Sequence, residues 1–284
     1  MNAPLALVLG IVFSSLWGFP FGSEPGKWIS LLLKVSVVGL GFGMNVESAI
    51  DAGSKGIVLT IGSIIFVLVA GYWVGKWMKM PIKESFLISS GTAICGGSAI
   101  AAVAPAVKAD GKSISVSLGV VFALNSVALV VFPPLGHLFQ MTQEQFGLWC
   151  AIAIHDTSSV VGAASAYGGE ALAIATTVKL ARALWIIPLA ILAAWLFKSK
   201  DTKPSIPWFI AFFIGALLMN SYLPIPEIVS GSIVDFSKML LILTLLLIGS
   251  TLSWERVKSV GWPPLIQGVI LWVAVSILSF FMIY

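Results

Sequence analysis

Five charged side chains fall inside stretches of sequence otherwise fit for lipid: Lys34, Asp156, Lys179, Arg182 and Lys238. Each costs about 2.5 to 3.5 kcal/mol at the bilayer centre on insertion scales, so a charge there is paired or functional. Four are cationic and one is anionic, and a cavity that collected them would favour an anion, with Asp156 neutralising one charge. Lys179 and Arg182 are three apart and share a face if the segment is helical. Lys238 lies near a helix start and reads as a snorkelling side chain. Lys34 divides between function and a role at the interface or on neighbouring carbonyls.

Two breaks supply a second anion-binding device. Residues 91–105 read GTAICGGSAIAAVAP and residues 151–164 read AIAIHDTSSVVGAA. Offset by sixty positions, Ala153 falls on Ala93, Ile154 on Ile94, Ser158 on Ser98 and Ala164 on Ala104. Non-helical backbone at membrane depth is tolerated only where protein buries it or where it lines a wet cavity. After Thr92 and Cys95, the run Gly96-Gly97-Ser98 would open a returning half-helix, with its N–H groups and positive dipole end toward the midplane. Thr157-Ser158-Ser159 would do the same from the opposite side. Glycine permits close approach of a ligand to backbone, and hydroxyls can donate to an oxyanion. The competing explanation is close packing through small residues, which suffices for Gly39, Gly41 and Gly43. The expected substrate-binding set is therefore Thr92, Cys95, Gly96, Gly97, Ser98, Thr157, Ser158, Ser159, Lys179, Arg182 and Lys34.

His155-Asp156 is the expected coupling pair. It supports three readings: a proton relay, an anchor of Asp156 for Arg182, or acid–base machinery. The enzymatic reading is the weakest, because adjacent helical residues do not face each other and cannot form a nucleophile–base–orienter chain. No enzymatic activity is expected. Cys95 and Cys150 have no ligand partners at useful spacing and read as small buried hydrophobes, so neither metal nor cofactor is expected. His137 lies in a loop and reads as solvated.

The elements that must position these groups follow from composition. With 58% hydrophobic and 10% charged residues over 284 positions, the chain falls among all-α polytopic membrane proteins, and no soluble domain fits between its apolar runs. The net charge of +4 sits mostly in short loops, so it reports topology and not a nucleic-acid partner. The first basic residue is Lys27, after the first apolar run, so a secretory signal peptide is not expected. Eight runs are long enough to span: 4–20, 28–45, 56–77, 113–136, 170–197, 207–222, 234–252 and 262–284. Residues 84–107 and 146–167 are the broken segments.

Lys76, Lys79 and Lys83 precede the first break and Lys108 and Lys112 follow it, so the positive-inside rule places both ends in the cytoplasm and predicts a re-entrant hairpin. The loops flanking the second break, 136–147 and 167–171, have no Lys or Arg, which predicts a second hairpin from outside. Lys198, Lys200, Lys203, Arg256 and Lys258 fall inside, and Lys55 is the basic loop residue left outside. Residues 1–77 pair with 207–284, and 84–136 with 146–197, as inverted repeats of one transporter domain spanning 1–284, an architecture of secondary transporters. The alternative fold is a ten-helix arrangement with crossed discontinuous helices, as in cation/proton antiporters and bile-acid symporters.

At these residues the chain resembles the YeiH family of bacterial inner-membrane proteins described as sulfate exporters. The resemblance rests on GTAICGGSAIAAVAP at 91–105, FGLWCAIAIHD at 146–156, VKLARAL at 178–184 and PWF at 207–209. The family more often has Ser at the position of Ala93, Ala at that of Gly97, and His-Glu-Val-Ala-Gln where this chain has His155-Asp-Thr-Ser-Ser. The extra hydroxyls at the second tip point to a substrate of its own. The resemblance implies export of a small oxyanion, sulfate-like or sulfonate-like, across the bacterial inner membrane by secondary active transport. A proton or sodium as coupling ion and a homodimer as assembly are left open by the sequence. The competing functions are an anion channel and a sodium-coupled transporter of another small organic anion.

Overall fold

The computed structural model describes residues 9, 10, 12, 25–43, 46–198, 208–251 and 261–284. Most of the first expected span, 4–20, and the loop residues Lys200, Lys203, Arg256 and Lys258 lie outside the described residues. In chain order the helices are α1 (Pro25–Leu40), α2 (Val46–Trp77), α3 (Ile82–Ala93), α4 (Gly97–Val107), α5 (Gly111–Leu138), α6 (Gln143–Ala153), α7 (Thr157–Tyr167), α8 (Gly169–Ala183), α9 (Ile186–Leu196), α10 (Trp208–Tyr222), α11 (Glu227–Thr251) and α12 (Trp262–Ile283). Among the described residues there is no strand, as expected of an all-α membrane protein.

The chain divides into two compact units, one of residues 1–52 and 207–252, the other of 53–206 and 253–284. In the first, α1 and the 3-10 turn Gly41–Gly43 that follows it pack on α10 and α11 through glycines. A Cβ on Gly39 would fall on the Ser237 side chain, one on Gly43 would lie 3.0 Å from Val234, and one on Gly41 would lie 3.0 Å from the Phe213 carbonyl. Small residues there let helix backbones approach, since lipid supplies no hydrophobic force between helices.

Among the described residues, four helical stretches are long and apolar enough to cross a membrane, all in the second unit: Gly56–Trp77 of α2, α5, the α8–α9 pair from Gly169 to Leu196, and α12. The α8–α9 pair bends at Leu184–Trp185. Pro188 has no N–H for the Leu184 carbonyl and its ring crowds it, so the chain tightens and Ile187 N donates to Leu184 O at 3.2 Å.

α3 has 12 residues, and α4, α6 and α7 have 11 each. At 1.5 Å per residue each is roughly 16 to 18 Å long, about half of a ~30 Å hydrocarbon core. Each pair doubles back. Lys83 Nζ in the first turn of α3 donates to Lys108 O beyond the end of α4 at 2.7 Å. At the second base, Gln143 Oε1 accepts from Glu170 N at 3.0 Å and the Tyr167 hydroxyl donates to Met141 O at 2.5 Å. Crossed helices would hold these ends on opposite faces, so the crossed alternative is set aside and both broken segments are hairpins.

α5 fixes their opposition. Its 28 residues span roughly 42 Å, its start follows the first hairpin and its end precedes the second. The hairpins therefore rise from opposite ends of α5, and their tips meet beside its midpoint, at Asn125. The first hairpin is sewn to its neighbours by a polar seam. A Cβ on Gly71 or Gly75 of α2 would come within 2.7 Å of the Cβ of Ser89 or Ser85 of α3. Buried Gln267 of α12 donates to Gly71 O at 3.1 Å and to Ser85 Oγ at 2.7 Å.

Candidate functional site

The two breaks are built alike. Helix stops at Ala93 and restarts at Gly97, and sixty positions later stops at Ala153 and restarts at Thr157. Each stop leaves terminal carbonyls without intrahelical partners, and here they are buried. One face of α8 supplies the missing donors. Lys179 Nζ donates to Ile94 O of the first break at 2.9 Å, and to Ala151 O at 3.2 Å and Ile154 O at 2.6 Å of the second. Arg182 donates from Nη2 to Ala93 O at 2.5 Å and from Nη1 to Ser63 Oγ on α2 at 2.7 Å. Both side chains are 0% exposed. Their charges stand at the negative dipole ends of α3 and α6, where cations are favoured. What they offer an anion is charge, together with the Arg182 Nε–H, which has no hydrogen-bond partner in the protein, whereas the other donors named serve carbonyls and a hydroxyl.

Asp156 has a different set of partners. Its Oδ1 accepts from Ser159 N at 2.8 Å and from the Ser158 hydroxyl at 2.5 Å. Its Oδ2 accepts from Asn125 Nδ2 at 3.0 Å and from the Ser159 hydroxyl at 3.2 Å. It is the N-cap of α7, a position where a carboxylate satisfies orphan N–H groups. Asn125 completes the clasp, its Oδ1 accepting from His155 N at 3.1 Å and Asp156 N at 3.3 Å. The hydroxyls of Ser158 and Ser159, expected to face a bound oxyanion, here face the tip's own carboxylate. Arg182 binds Ala93 and Ser63, so the contacts of Asp156 run to Asn125 and the serines of its own tip.

The first tip differs at the matching position. Gly96 is the N-cap of α4, with φ +62°, ψ −122° and no side-chain cap. That backbone conformation is open to glycine. A Cβ there would lie 3.0 Å from Val121 and 3.3 Å from the Asp156 Cβ, which is where the hairpins touch. The Cys95 thiol faces the Ala99 N–H and the Ser98 hydroxyl. A thiol is a weak, neutral acceptor. The positive end of α4 therefore has no carboxylate of its own, whereas that of α7 has Asp156. Ser98 is exposed, and Gly97 and Thr157 are half-buried. A Cβ on Gly97 would lie 3.3 to 3.5 Å from Leu118 and Phe122, so it is Gly96 and not Gly97 that must be glycine.

Thr92, Cys95 and His155 are buried, and neither ring nitrogen of His155 nor the Thr92 hydroxyl has a hydrogen-bond partner in the protein. Lys34 lies on α1 in the other unit, half-buried. Lys238 is exposed and pairs with Asp235 at 3.6 Å, but it lies in the middle of α11 and not near a helix start, so the expected ground for snorkelling is absent. Among the described residues no group of His, Cys, Asp and Glu could hold a metal ion. An inventory of charges passes over Asn125 and Ser63. The signal for Asn125 was present, as an amide in the middle of the apolar run 113–136.

The chain matches the family profile described as conserved hypothetical protein 698 over residues 2–268. It is 50% identical to a UPF0324 membrane protein of Bacteroides thetaiotaomicron over 287 aligned residues, covering 100% of this chain and 87% of the relative. A UPF0324 membrane protein of Shewanella oneidensis is also 50% identical, over 98% of this chain and 88% of its own length. One from Photobacterium profundum is 48% identical, over 98% and 85%. No solved structure matches the chain. With helices of membrane length and relatives that are membrane proteins by name, the chain is a multi-pass membrane protein and belongs to the conserved hypothetical protein 698 family, the YeiH or UPF0324 membrane proteins.

Proposed function

We propose that the protein is a secondary active transporter of a small oxyanion, sulfate-like or sulfonate-like, exported across the bacterial inner membrane. The observation that carries this reading is the charge arrangement at the tips. Two fully buried cations, Lys179 and Arg182, are clipped to both breaks, and Asp156 is the one acid there. Helix dipoles do not remove the imbalance. The partial negative ends of α3 and α6, about half a charge each, are offset by the partial positive ends of α4 and α7, leaving a net charge of about +1. A buried net charge is costly unless a counter-ion meets it, so the tips favour an anion.

The accessible groups fit that ligand. Ser98 is exposed and Gly97 half-exposed at the positive end of α4, and Thr157 is half-exposed at that of α7, so each tip offers a hydroxyl and a helix start suited to an oxyanion. Protons are the coupling ion that the site accommodates most directly. A proton on Asp156 would turn an acceptor oxygen into a donor and break its bond from Asn125 or Ser159, so the clasp between the hairpins changes with the charge of one carboxyl.

The test is thermal stabilisation of purified protein by sulfate, methanesulfonate, phosphate and chloride at constant ionic strength, because a ligand that binds the folded state raises apparent stability. A sulfate- or sulfonate-selective, saturable shift is expected, weakened by Ser98→Val. Equal shifts for all anions, or stabilisation by sodium alone, would contradict the reading.

A further inference from the structure

A second basic site lies at the base of the first hairpin, half a helix pair away from the tips. There the α2–α3 turn and the α4–α5 turn border a cavity of about 360 Å³ lined by Pro81, Ile82, Lys83, Lys108, Asp110 and Ser113. Lys76, Lys79 and Lys112 stand on the same turns, and all five lysines are exposed. The acids nearby are Glu84, which faces Lys112, and Asp110, whose Oδ1 accepts from Ser113 N at 2.9 Å as the N-cap of α5. Five positive charges against two negative ones leave the cradle cationic. Lys83 commits one of its three ammonium hydrogens to Lys108 O, which fixes its head beside the cavity with two donors to spare.

Its depth is marked by aromatic side chains. Tyr72, Trp73 and Trp77 are exposed on the last turns of α2, and Lys76 Nζ lies 5.5 Å from the Trp73 ring centre and 6.0 Å from that of Tyr72. Exposed Trp and Tyr beside lysines at the end of an apolar helix sit at the headgroup level of a membrane, and the lysine-rich loops place this end in the cytoplasm. The cavity begins four residues beyond Trp77. Basic pockets between helices at this level suit anionic lipid headgroups.

We propose that this cradle binds the phosphodiester of an anionic phospholipid of the cytoplasmic leaflet, held by the Lys83 and Lys108 ammonium groups. The site is independent of the transported substrate. Delipidated protein in neutral detergent is titrated with phosphatidylglycerol, phosphatidylcholine or inorganic phosphate, with bound lipid read by native mass spectrometry and stability by thermal unfolding. Phosphatidylglycerol should bind saturably and in preference to phosphatidylcholine. In K83A/K108A its affinity should fall roughly thirtyfold, about fivefold for each lysine near a charged surface. K238A, which removes an exposed lysine of the other unit, should bind as the wild type does. Both substitutions of the double variant are at exposed positions, and an unchanged size-exclusion profile and unfolding temperature without lipid confirm that it folds. Wild-type affinity in K83A/K108A, or equal binding of phosphatidylcholine, would overturn the proposal. Stabilisation by inorganic phosphate equal to that by the lipid, through the same lysines, would also overturn it by assigning the cradle to a free anion.

Discussion

Asn125 offers the sharpest test of the hairpin junction, because a single amide joins α5 to the second tip in both hydrogen-bond directions. In N125A the N–H groups of His155 and Asp156 lose their acceptor, and Asp156 loses a donor. An orphaned buried group costs about 1 to 3 kcal/mol, so two orphaned N–H groups cost about 2 to 6 kcal/mol. For a chain of this size that lowers the unfolding temperature by roughly 2 °C per kcal/mol, or about 4 to 12 °C. N125D keeps an acceptor for both N–H groups but sets a second carboxylate 3.0 Å from Asp156 Oδ2, where Nδ2 now stands. With both ionised and an effective dielectric constant near 20, the repulsion is about 5 kcal/mol, a ceiling that a shared proton would reduce. D156N places two amide donors face to face and weakens the same junction. The reciprocal double variant N125D/D156N restores one donor and one acceptor across it, and the Ser159 hydroxyl can turn to suit. Thermal unfolding of the four proteins in detergent should therefore give a favourable coupling of about 2 kcal/mol, within the range for directly contacting residues. Destabilisations that simply add would refute the clasp.

Further outcomes follow from neighbouring residues. K179M leaves the carbonyls of Ile94, Ala151 and Ile154 without their donor, about 3 kcal/mol or more against a total stability of about 5 to 15, and should abolish monodisperse protein in size-exclusion chromatography. R182K should lose at least several degrees of unfolding temperature, because a point charge cannot reach both Ala93 O and Ser63 Oγ as the planar fork does. G96A should destabilise by about 1 to 3 kcal/mol through its positive φ and its contact with Asp156, whereas G97A should stay within about 0.5 kcal/mol of wild type in the same denaturation assay. Cysteines placed at Lys112, in the first turn of α5, and at Gln143, the first residue of α6 beyond the other end of α5, should be labelled by an impermeant thiol reagent from opposite faces of the membrane, and labelling of both from one face would reject the topology.

The breaks, the hairpins and the shared face of Lys179 and Arg182 were legible in the sequence, because each rests on a local pattern. Glycines and hydroxyls interrupt an apolar run, lysines flank one break and are absent around the other, and a three-residue spacing defines a face. The partners of those cations were not legible. Carbonyls at 93, 94, 151 and 154 become acceptors only once two distant helix ends are buried beside α8, and no pattern along the chain records that meeting. Asn125 and Gln267 are less conspicuous in an apolar run than a charge, although Asn125 joins α5 to the second tip and Gln267 joins α12 to α2 and α3. The choice between Gly96 and Gly97 depends on a backbone angle and on Asp156 across the junction, which composition does not encode. The bend in the expected span 170–197 had a visible cause in Pro188.

The measurement that reaches the proposed function most directly is counterflow in proteoliposomes, with labelled sulfate or methanesulfonate outside and the unlabelled anion inside. Saturable accumulation of label is expected in the wild type, driven further by an imposed pH gradient, with S98W blocking it in protein that still unfolds cooperatively. Rapid, non-saturating anion flux would identify a channel instead. Absence of exchange for every oxyanion tested, in protein whose hairpin clasp is intact by the Asn125–Asp156 cycle, would contradict oxyanion transport itself.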